Sequence, residues 1–381
     1  MLLGRSDRGL LAQWWFTVDR GLMSAVMLLM AAGVLISMAA SPPVAERIGL
    51  EPLHFFKSQL VFLVPALAVL VTLSFFTQKQ AKRAGLILFG LALAMMVVAL
   101  KFGPEIKGAH RWLNIGPLGI QPSEFAKPGF VVTAAWLLAE HTRRREVPGH
   151  ILAFLLAGLF IGLLVLQPDF GQTALVTLTF GAMLLVYGIS WLFVLGLGGV
   201  MAAGVVIAYL LAPHVASRID RFLHPDTGDT FQVDTAIQAF HNGGFMGTGP
   251  GGGIAKQVLP DAHTDFTFAV VGEEFGFIAC VLLMSLFAFI VLRVLRRAKA
   301  DSDPFPALAM SGLGMMFGFQ AVINMGVNVS LLPAKGMTLP FISYGGSSLV
   351  GMAFAMGLIL ALGRKRPGVT VTSLPLAPAL A

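Results

Sequence analysis

The one long polar segment of the chain, residues 213–265, ends Leu259-Pro260-Asp261-Ala262-His263-Thr264-Asp265, and from Phe266 onward the sequence turns apolar again. Asp265 therefore stands at the mouth of an apolar helix, at the boundary between membrane and water. A carboxylate there can take a proton from a hydroxyl and act as a general base. His263 is the second candidate base, although a histidine at such a place more often serves to bond its loop. A glycine-rich stretch, Gly243 to Gly253, precedes both. Within it Gly247-Thr248-Gly249-Pro250-Gly251-Gly252 fits GxGxxG, but no strand precedes it and no long helix follows, so it reads as a tightly turning surface loop and not a dinucleotide site.

Four other groups of polar residues interrupt the apolar sequence. Gln121-Pro122-Ser123-Glu124-Phe125-Ala126-Lys127 opens an apolar run. Pro122-Ser123 marks a helix start with Ser123 near the N-cap, and Glu124 and Lys127, three apart, share one face. Charges inside a membrane are costly and tend to line a cavity or pair with each other. Arg111-Trp112 just upstream is either an interfacial anchor or a substrate contact. Asp169, in Gln167-Pro168-Asp169-Phe170-Gly171, has the features of a turn or helix cap. Glu273 and Glu274 follow Asp265 by about 12 Å of helix, and at least one should face the bundle interior. Finally, Pro333 to Ser348 concentrates Lys335, Ser343, Tyr344, Gly345, Gly346, Ser347 and Ser348 before the last apolar run. Small residues in a membrane helix usually mean close packing, and this composition also suits a broken helix with free N–H groups.

Composition decides what positions these residues. Of 381 residues 56% are hydrophobic and only 12% charged, about half the usual charged share of a soluble domain, and mean hydropathy is +0.82. The chain reads as an all-α polytopic membrane protein. Windows of about 20 apolar residues predict ten spans near 21–40, 58–76, 84–101, 123–140, 149–166, 172–188, 191–212, 266–292, 305–329 and 340–363. Between the seventh and eighth lies the 213–265 loop, where Val233, Ile237 and Phe240 predict a short amphipathic helix on the membrane surface.

Basic residues cluster at Arg5, Arg8 and Arg20; Lys79, Lys82 and Arg83; Arg143, Arg144 and Arg145; Arg293, Arg296, Arg297 and Lys299; and Arg364, Lys365 and Arg366. This density places both termini inside and the 213–265 loop outside. The net charge of +7 is thus a topology signal with affinity for anionic lipid, and nucleic acid is excluded as a partner. Residues 1–20 form an inner segment with Trp14 and Trp15 as interfacial anchors, 21–366 the membrane domain, and 367–381 a Pro- and Ala-rich disordered tail. Cys280 is the only cysteine, so no intrachain disulfide forms.

Gln121-Pro122-Ser123-Glu124-Phe125-Ala126-Lys127, Gln167-Pro168-Asp169-Phe170-Gly171, Ala262-His263-Thr264-Asp265-Phe266 and Leu339-Pro340-Phe341-Ile342-Ser343-Tyr344-Gly345-Gly346-Ser347-Ser348 together resemble the signature blocks of the SEDS family (shape, elongation, division and sporulation). They stand in the family's order across roughly residues 20–366. Pro333-Ala334-Lys335-Gly336-Met337-Thr338-Leu339-Pro340 resembles the division branch, with Ser330 and Ala334 as mild departures. The resemblance implies a peptidoglycan glycosyltransferase that polymerises lipid II at the outer face of the bacterial inner membrane, at the division septum. It implies Asp265 as the catalytic aspartate and a class B penicillin-binding protein transpeptidase, with other septal proteins, as partners. Arg111, Trp112, Glu124, Lys127, His263, Lys335, Ser343, Gly345, Gly346 and Ser347 would then contact or shape the substrate. Lys127, Arg111 or Lys335, or a bound divalent cation (Mg²⁺ or Mn²⁺), would neutralise the departing pyrophosphate. No paired ligand spacing in the sequence marks a metal site.

Two other classes compete. A lipid II flippase would use Glu124, Lys127, Glu273 and Glu274 as a polar path, but the polar residues gather in one half of the spans instead of running their full depth. A scaffold that only recruits division proteins would leave the His263–Asp265 segment without a role.

Overall fold

The computed structural model describes residues 9–106, 108–116, 118–211, 216, 220, 231–333 and 336–364. Its helices are α1 (Leu10–Thr17), α2 (Arg20–Arg47), α3 (His54–Ser74), α4 (Gln78–Phe102), α5 (Pro122–Arg143), α6 (Gly149–Leu166), α7 (Phe170–Tyr187), α8 (Trp191–Leu211), α9 (Phe231–Gly243), α10 (Ala255–Val258), α11 (Thr267–Lys299), α12 (Pro304–Asn328) and α13 (Gly346–Leu362). Seven of these, α2, α3, α4, α6, α7, α11 and α12, are long and apolar enough to cross a membrane. The protein is a multi-pass helical membrane protein.

Local sequence explains where the helices begin. Asp19 caps α2 by accepting from Leu22 N–H at 3.0 Å. Thr77 and Gln80 form a reciprocal capping box on α4, Asp169 caps α7 and Asp303 caps α12 ahead of Pro304. Each side-chain oxygen satisfies an N–H that the first turn leaves open.

Three expectations need correction. The first span does not stop near residue 40, since α2 continues through Pro42 and Pro43 to Arg47. The last helix begins at Gly346, because Pro340 to Gly345 is non-helical. Pro122-Ser123 opens α5 as expected, with Gln121 at the N-cap. The chain is also not purely helical. Between α4 and α5, β1 (Leu113–Ile115) pairs antiparallel with β2 (Leu118–Ile120), Leu113 opposite Ile120, and the chain turns at Gly116 with φ 62°.

α5, α12 and α13 form the centre, being buried along most of their length. α4 and α6 pack on α5, α3 packs on α13, and α11 runs beside α12. A continuous apolar core joins these helices. A second, smaller core gathers Ala40, Val44, Ala236, Ala239, Ala255, Leu259, Ala262, Phe266, Ala269, Val270 and Val327 at the end that carries Asp265. The expected amphipathic helix exists as α9, but it does not simply lie on a lipid surface. Thr235, Ala236, Ala239 and Gly243 are its buried face, packed against α11.

α11 is broken. Gly276 has φ 76° and ψ −178°, a left-handed setting that favours glycine. The glycine-rich loop docks into the gap. Thr248 and Gly249 N–H donate to the carbonyls of Glu273 and Glu274 at 2.9 and 3.0 Å, and Phe277 and Ile278 N–H donate to the carbonyls of Gly244 and Phe245 at 2.9 and 3.3 Å. The backbone groups freed by the break are thus repaid within the protein, as a membrane environment demands. Expected to be a surface loop, this stretch is part of a membrane helix's own hydrogen bonding.

Candidate active site

Asp265 closes the turn that leads into α11, its N–H donating to Asp261 C=O at 3.0 Å. It is half-buried. Its main-chain carbonyl accepts from two amides on α12, Asn324 Nδ2 and Asn328 Nδ2, each at 2.9 Å. Asn324 Nδ2 also donates to Met337 C=O at 2.6 Å, and Asn328 Oδ1 accepts from Ala269 N–H at 3.0 Å. The two asparagines fasten the first turn of α11 and the 336–338 segment to one helix. Gly336 lies against the carboxylate, since a Cβ built there would sit 3.6 Å from Asp265 Oδ2. Lys335 lies outside the described residues.

His263 belongs to the same turn. Its carbonyl accepts from Tyr344 N–H at 2.9 Å, and its ring packs on Phe55 at 4.0 Å and near Tyr344 at 5.6 Å between centroids. These contacts make it a loop fastener. Phe266 and Phe268 are both buried. Phe266 belongs to the small core. Phe268 instead lines a lateral apolar cavity of about 710 Å³ between α9, α11 and α12, with Ile237, Phe240, Met284 and Val322.

Glu124 and Lys127 pair at 2.9 Å, with the lysine side chain wholly buried. Burying two charges is favourable only when their remaining hydrogen-bonding groups are matched, and the surroundings supply partners. Gln172 Nε2 donates to Glu124 Oε1 at 2.6 Å, Lys127 Nζ donates to Gln320 Oε1 at 2.9 Å, and Gln320 Nε2 donates to Thr338 C=O at 3.0 Å. Thr338 and Ser348 hydroxyls meet at 2.8 Å. The chain of contacts therefore runs from α7 through α5 and α12 to the 336–338 segment beside Asp265. The predicted residues on separate spans are brought into one connected cluster.

The remaining predicted site residues hold the framework. Arg111 Nε donates to Gln167 C=O at 2.8 Å, its NH2 group to Pro168 C=O at 2.5 Å, and its NH1 group faces Asp169 Oδ2 at 3.8 Å. The guanidinium thus grips the α6–α7 turn. Trp112 packs over Gly119 of the hairpin, where a Cβ would touch its ring at 3.6 Å. Ser343 Oγ accepts from Leu339 N–H at 2.9 Å, and Ser347 Oγ accepts from Gln121 N–H at 3.0 Å. Gly345 faces Thr338, and Gly346 lets the Phe62 ring approach.

Asp169 is the cap the sequence suggested, accepting from Gln172 N–H at 3.3 Å and from Gln121 Nε2 at 3.3 Å. Burial pushes its carboxyl above the usual range, with the nearby Arg111 guanidinium opposing that push.

Glu273 and Glu274 turn inward, as expected of at least one. Glu273 accepts the N–H groups of Ile254, Ala255 and Lys256 at 2.8, 2.7 and 3.0 Å, holding the start of α10. Glu274 pairs with the buried Lys256, whose Nζ also reaches Ala39 C=O at 3.2 Å. Both carboxylates tie α10 to α11. Among the described residues no group of three or more His, Cys, Asp or Glu side chains is arranged to hold a metal ion.

A multi-pass bundle with a cluster of buried polar side chains beside one half-buried carboxylate is a membrane protein built around a polar site at one end. The profile of the family described as "Cell cycle protein", which groups FtsW, RodA and SpoVE, matches residues 20–367, and the chain belongs to that family. It is 44% identical to the probable peptidoglycan glycosyltransferase FtsW of Caulobacter vibrioides, over 96% of this chain and 94% of that one. It is 35% identical to the protein of the same description from Coxiella burnetii, over 91% and 96% of the two chains. Among solved structures it is similar to a chain of a peptidoglycan synthase complex studied for the coordination of polymerization and crosslinking (TM-score 0.76, 30% identity, 92% of this chain and 98% of that one). It is also similar to the rod shape determining protein RodA of Thermus thermophilus (TM-score 0.68, 28% identity, 92% and 97%).

Proposed function

We infer that this chain is a peptidoglycan glycosyltransferase of cell division, polymerising lipid II into glycan strands at the septum. The single observation that carries the reading is the 44% identity to a probable peptidoglycan glycosyltransferase FtsW across 96% of the chain. In this reading ten helices, α2 to α8 and α11 to α13, cross the membrane with both ends inside, so that Asp265 lies at the outer surface. α5 can cross despite Glu124 and Lys127 because it is central and its charges are paired.

The reaction follows from what the Asp265 end can supply. The acceptor sugar hydroxyl attacks the anomeric carbon that carries the pyrophosphate. The new carbon–oxygen bond forms as the bond to pyrophosphate breaks, with inversion at that carbon. The hydroxyl proton passes to Asp265, and the leaving group carries away the electron pair as undecaprenyl pyrophosphate. Asn324 and Asn328 hold the carboxylate's backbone in place, which is the positioning on which such a displacement depends. The buried Glu124–Lys127 cluster fixes the 336–338 segment, and Lys335, next to it in sequence, is assigned to neutralise the charge of the leaving pyrophosphate. Mg²⁺ or Mn²⁺ belongs to this reading only as an ion carried on the substrate's pyrophosphate.

The partner in this reading is a class B penicillin-binding protein transpeptidase, in line with the resemblance to a chain of a synthase complex. A flippase remains the second class. It is disfavoured because the polar cluster stays at one end of α5, α7 and α12. The test is reconstitution of the purified full chain with its transpeptidase partner in liposomes containing lipid II. Glycan strands should form, and lipid movement without polymer would replace the enzyme with the transporter.

A further inference from the structure

At the end of the bundle opposite Asp265, separated from it by most of the length of α11, lies a polar cleft of about 370 Å³. Its walls are the last turn of α1 at Thr17, the start of α2 at Asp19 and Arg20, and α11 at Arg293 and Arg297, with Gly363 after α13. Asp19 is the only acid among them. It is already taken, receiving Arg293 Nε at 2.9 Å from each carboxylate oxygen. Arg297 donates to the carbonyls of Gly363 and Arg364 at 2.8 and 3.4 Å, which satisfies its geometry but leaves its charge uncompensated. Arg20 rests on the face of Trp15 at 5.5 Å. No ion pair among the described residues involves Arg20 or Arg297, so the cleft carries a surplus of positive charge.

Its depth is set by α1. Leu10, Leu11, Trp15 and Phe16 of that helix are exposed. Trp14 is pinned to the bundle, stacking on Phe75 at 4.8 Å and donating to Ser74 Oγ at 2.9 Å. An apolar, tryptophan-bearing helix of this kind lies at the headgroup level. The cleft therefore opens where phosphates of the bilayer are found, and basic pockets between membrane helices recognise such groups. Its volume is within the range of small-ligand sites, about 300–1,000 Å³.

We propose that the Arg20–Arg297 cleft is a binding site for a phosphate ester group, supplied by an anionic phospholipid of the adjoining leaflet. The guanidiniums of Arg20 and Arg297 hold the phosphate oxygens, Thr17 borders the headgroup, and the lipid bridges α1 to the ends of α11 and α13. The site does not depend on the reaction assigned to the other end.

The test uses the full chain in phosphatidylcholine nanodiscs with and without phosphatidylglycerol, reading retained lipid by native mass spectrometry and thermal stability alongside. Wild-type protein should retain phosphatidylglycerol and melt higher in its presence. Arg20→Gln should weaken retention about five-fold, the equivalent of about 1 kcal/mol, while Arg145→Gln, on an exposed basic turn elsewhere, should not change it. Arg20 has no role in holding the backbone, so its variant reports binding even if Arg297→Gln proves unstable. A parallel arm adds inorganic phosphate to protein in neutral detergent. Stabilisation there that Arg20→Gln abolishes would assign the same site to a free phosphate. Retention and stability unchanged by Arg20→Gln in both arms would overturn the proposal.

Discussion

Asn324 donates its side-chain amide to the main-chain carbonyl of Asp265 at 2.9 Å. The proposed base is thus located through its backbone, from a helix distant in sequence. Replacing Asn324 with Leu would orphan the Met337 carbonyl and leave the Asp265 carbonyl held by Asn328 alone. Leaving buried polar groups unmatched costs about 1–3 kcal/mol each. We expect polymerisation to fall at least ten-fold while the protein still inserts and binds lipid II. Unchanged turnover in purified Asn324→Leu would show that the clamp does not position the base.

The buried pair on α5 makes a non-additive prediction. Lys127→Met strands the Glu124 carboxylate in the core, and Glu124→Gln strands the Lys127 ammonium. Each single change should destabilise by about 3–5 kcal/mol, and the double change should cost less than the sum. Thermal melts of the four proteins in detergent provide the cycle. Strict additivity would mean that the two charges do not sense each other.

The docked loop separates two glycines that look alike in the sequence. Gly247 and Gly251 both have positive φ, 83° and 82°, but a Cβ on Gly247 would run into the Glu274 carbonyl, while one on Gly251 meets open space. Gly251→Ala should cost about 1–2 kcal/mol of backbone strain. Gly247→Ala should melt well below it and lose activity, because α11 can no longer be completed at Gly276. Equal melting temperatures would contradict the docking.

Acid sensitivity is expected at the opposite end. Partial burial pushes the Asp19 carboxyl up, but bonds from Arg293 and from Leu22 N–H outweigh it and hold the group below its ordinary 3.8. A carboxyl lowered on folding contributes stability above its unfolded pKa and loses it as pH falls through the lower folded value. Wild-type protein should therefore lose stability below about pH 4 more steeply than Asp19→Asn. Parallel pH–melting curves for the two would reveal a missing difference.

Much of this design is visible in the sequence. The apolar runs reveal the helices because burial in lipid requires long apolar stretches. Glu124, Lys127 and Asp265 stand out because charges in such runs are costly. Other parts carry weaker signals. Gln320, Asn324 and Asn328 are spaced i, i+4, i+8 on one face of α12, a pattern that is readable once neutral amides are weighed with charges. Leu113-Asn114-Ile115 and Leu118-Gly119-Ile120 alternate around Gly116 as hairpin strands do. The break at Gly276 is different. A glycine in an apolar run is ordinary in a membrane helix, and only the loop that fills the gap gives it meaning. Arg111 likewise looks free in the sequence and is committed to the 167–169 turn by folding.

The most direct test of the central claim is the Asp265→Asn enzyme, assayed with its transpeptidase partner for lipid II binding and glycan polymerisation side by side. Asparagine keeps the size and the backbone clamp of Asp265 but cannot accept the proton. A general base contributes about 10²–10⁴-fold, so binding should be retained and polymer should fall to background. Polymerisation within a few-fold of wild type would remove Asp265 from the chemical step.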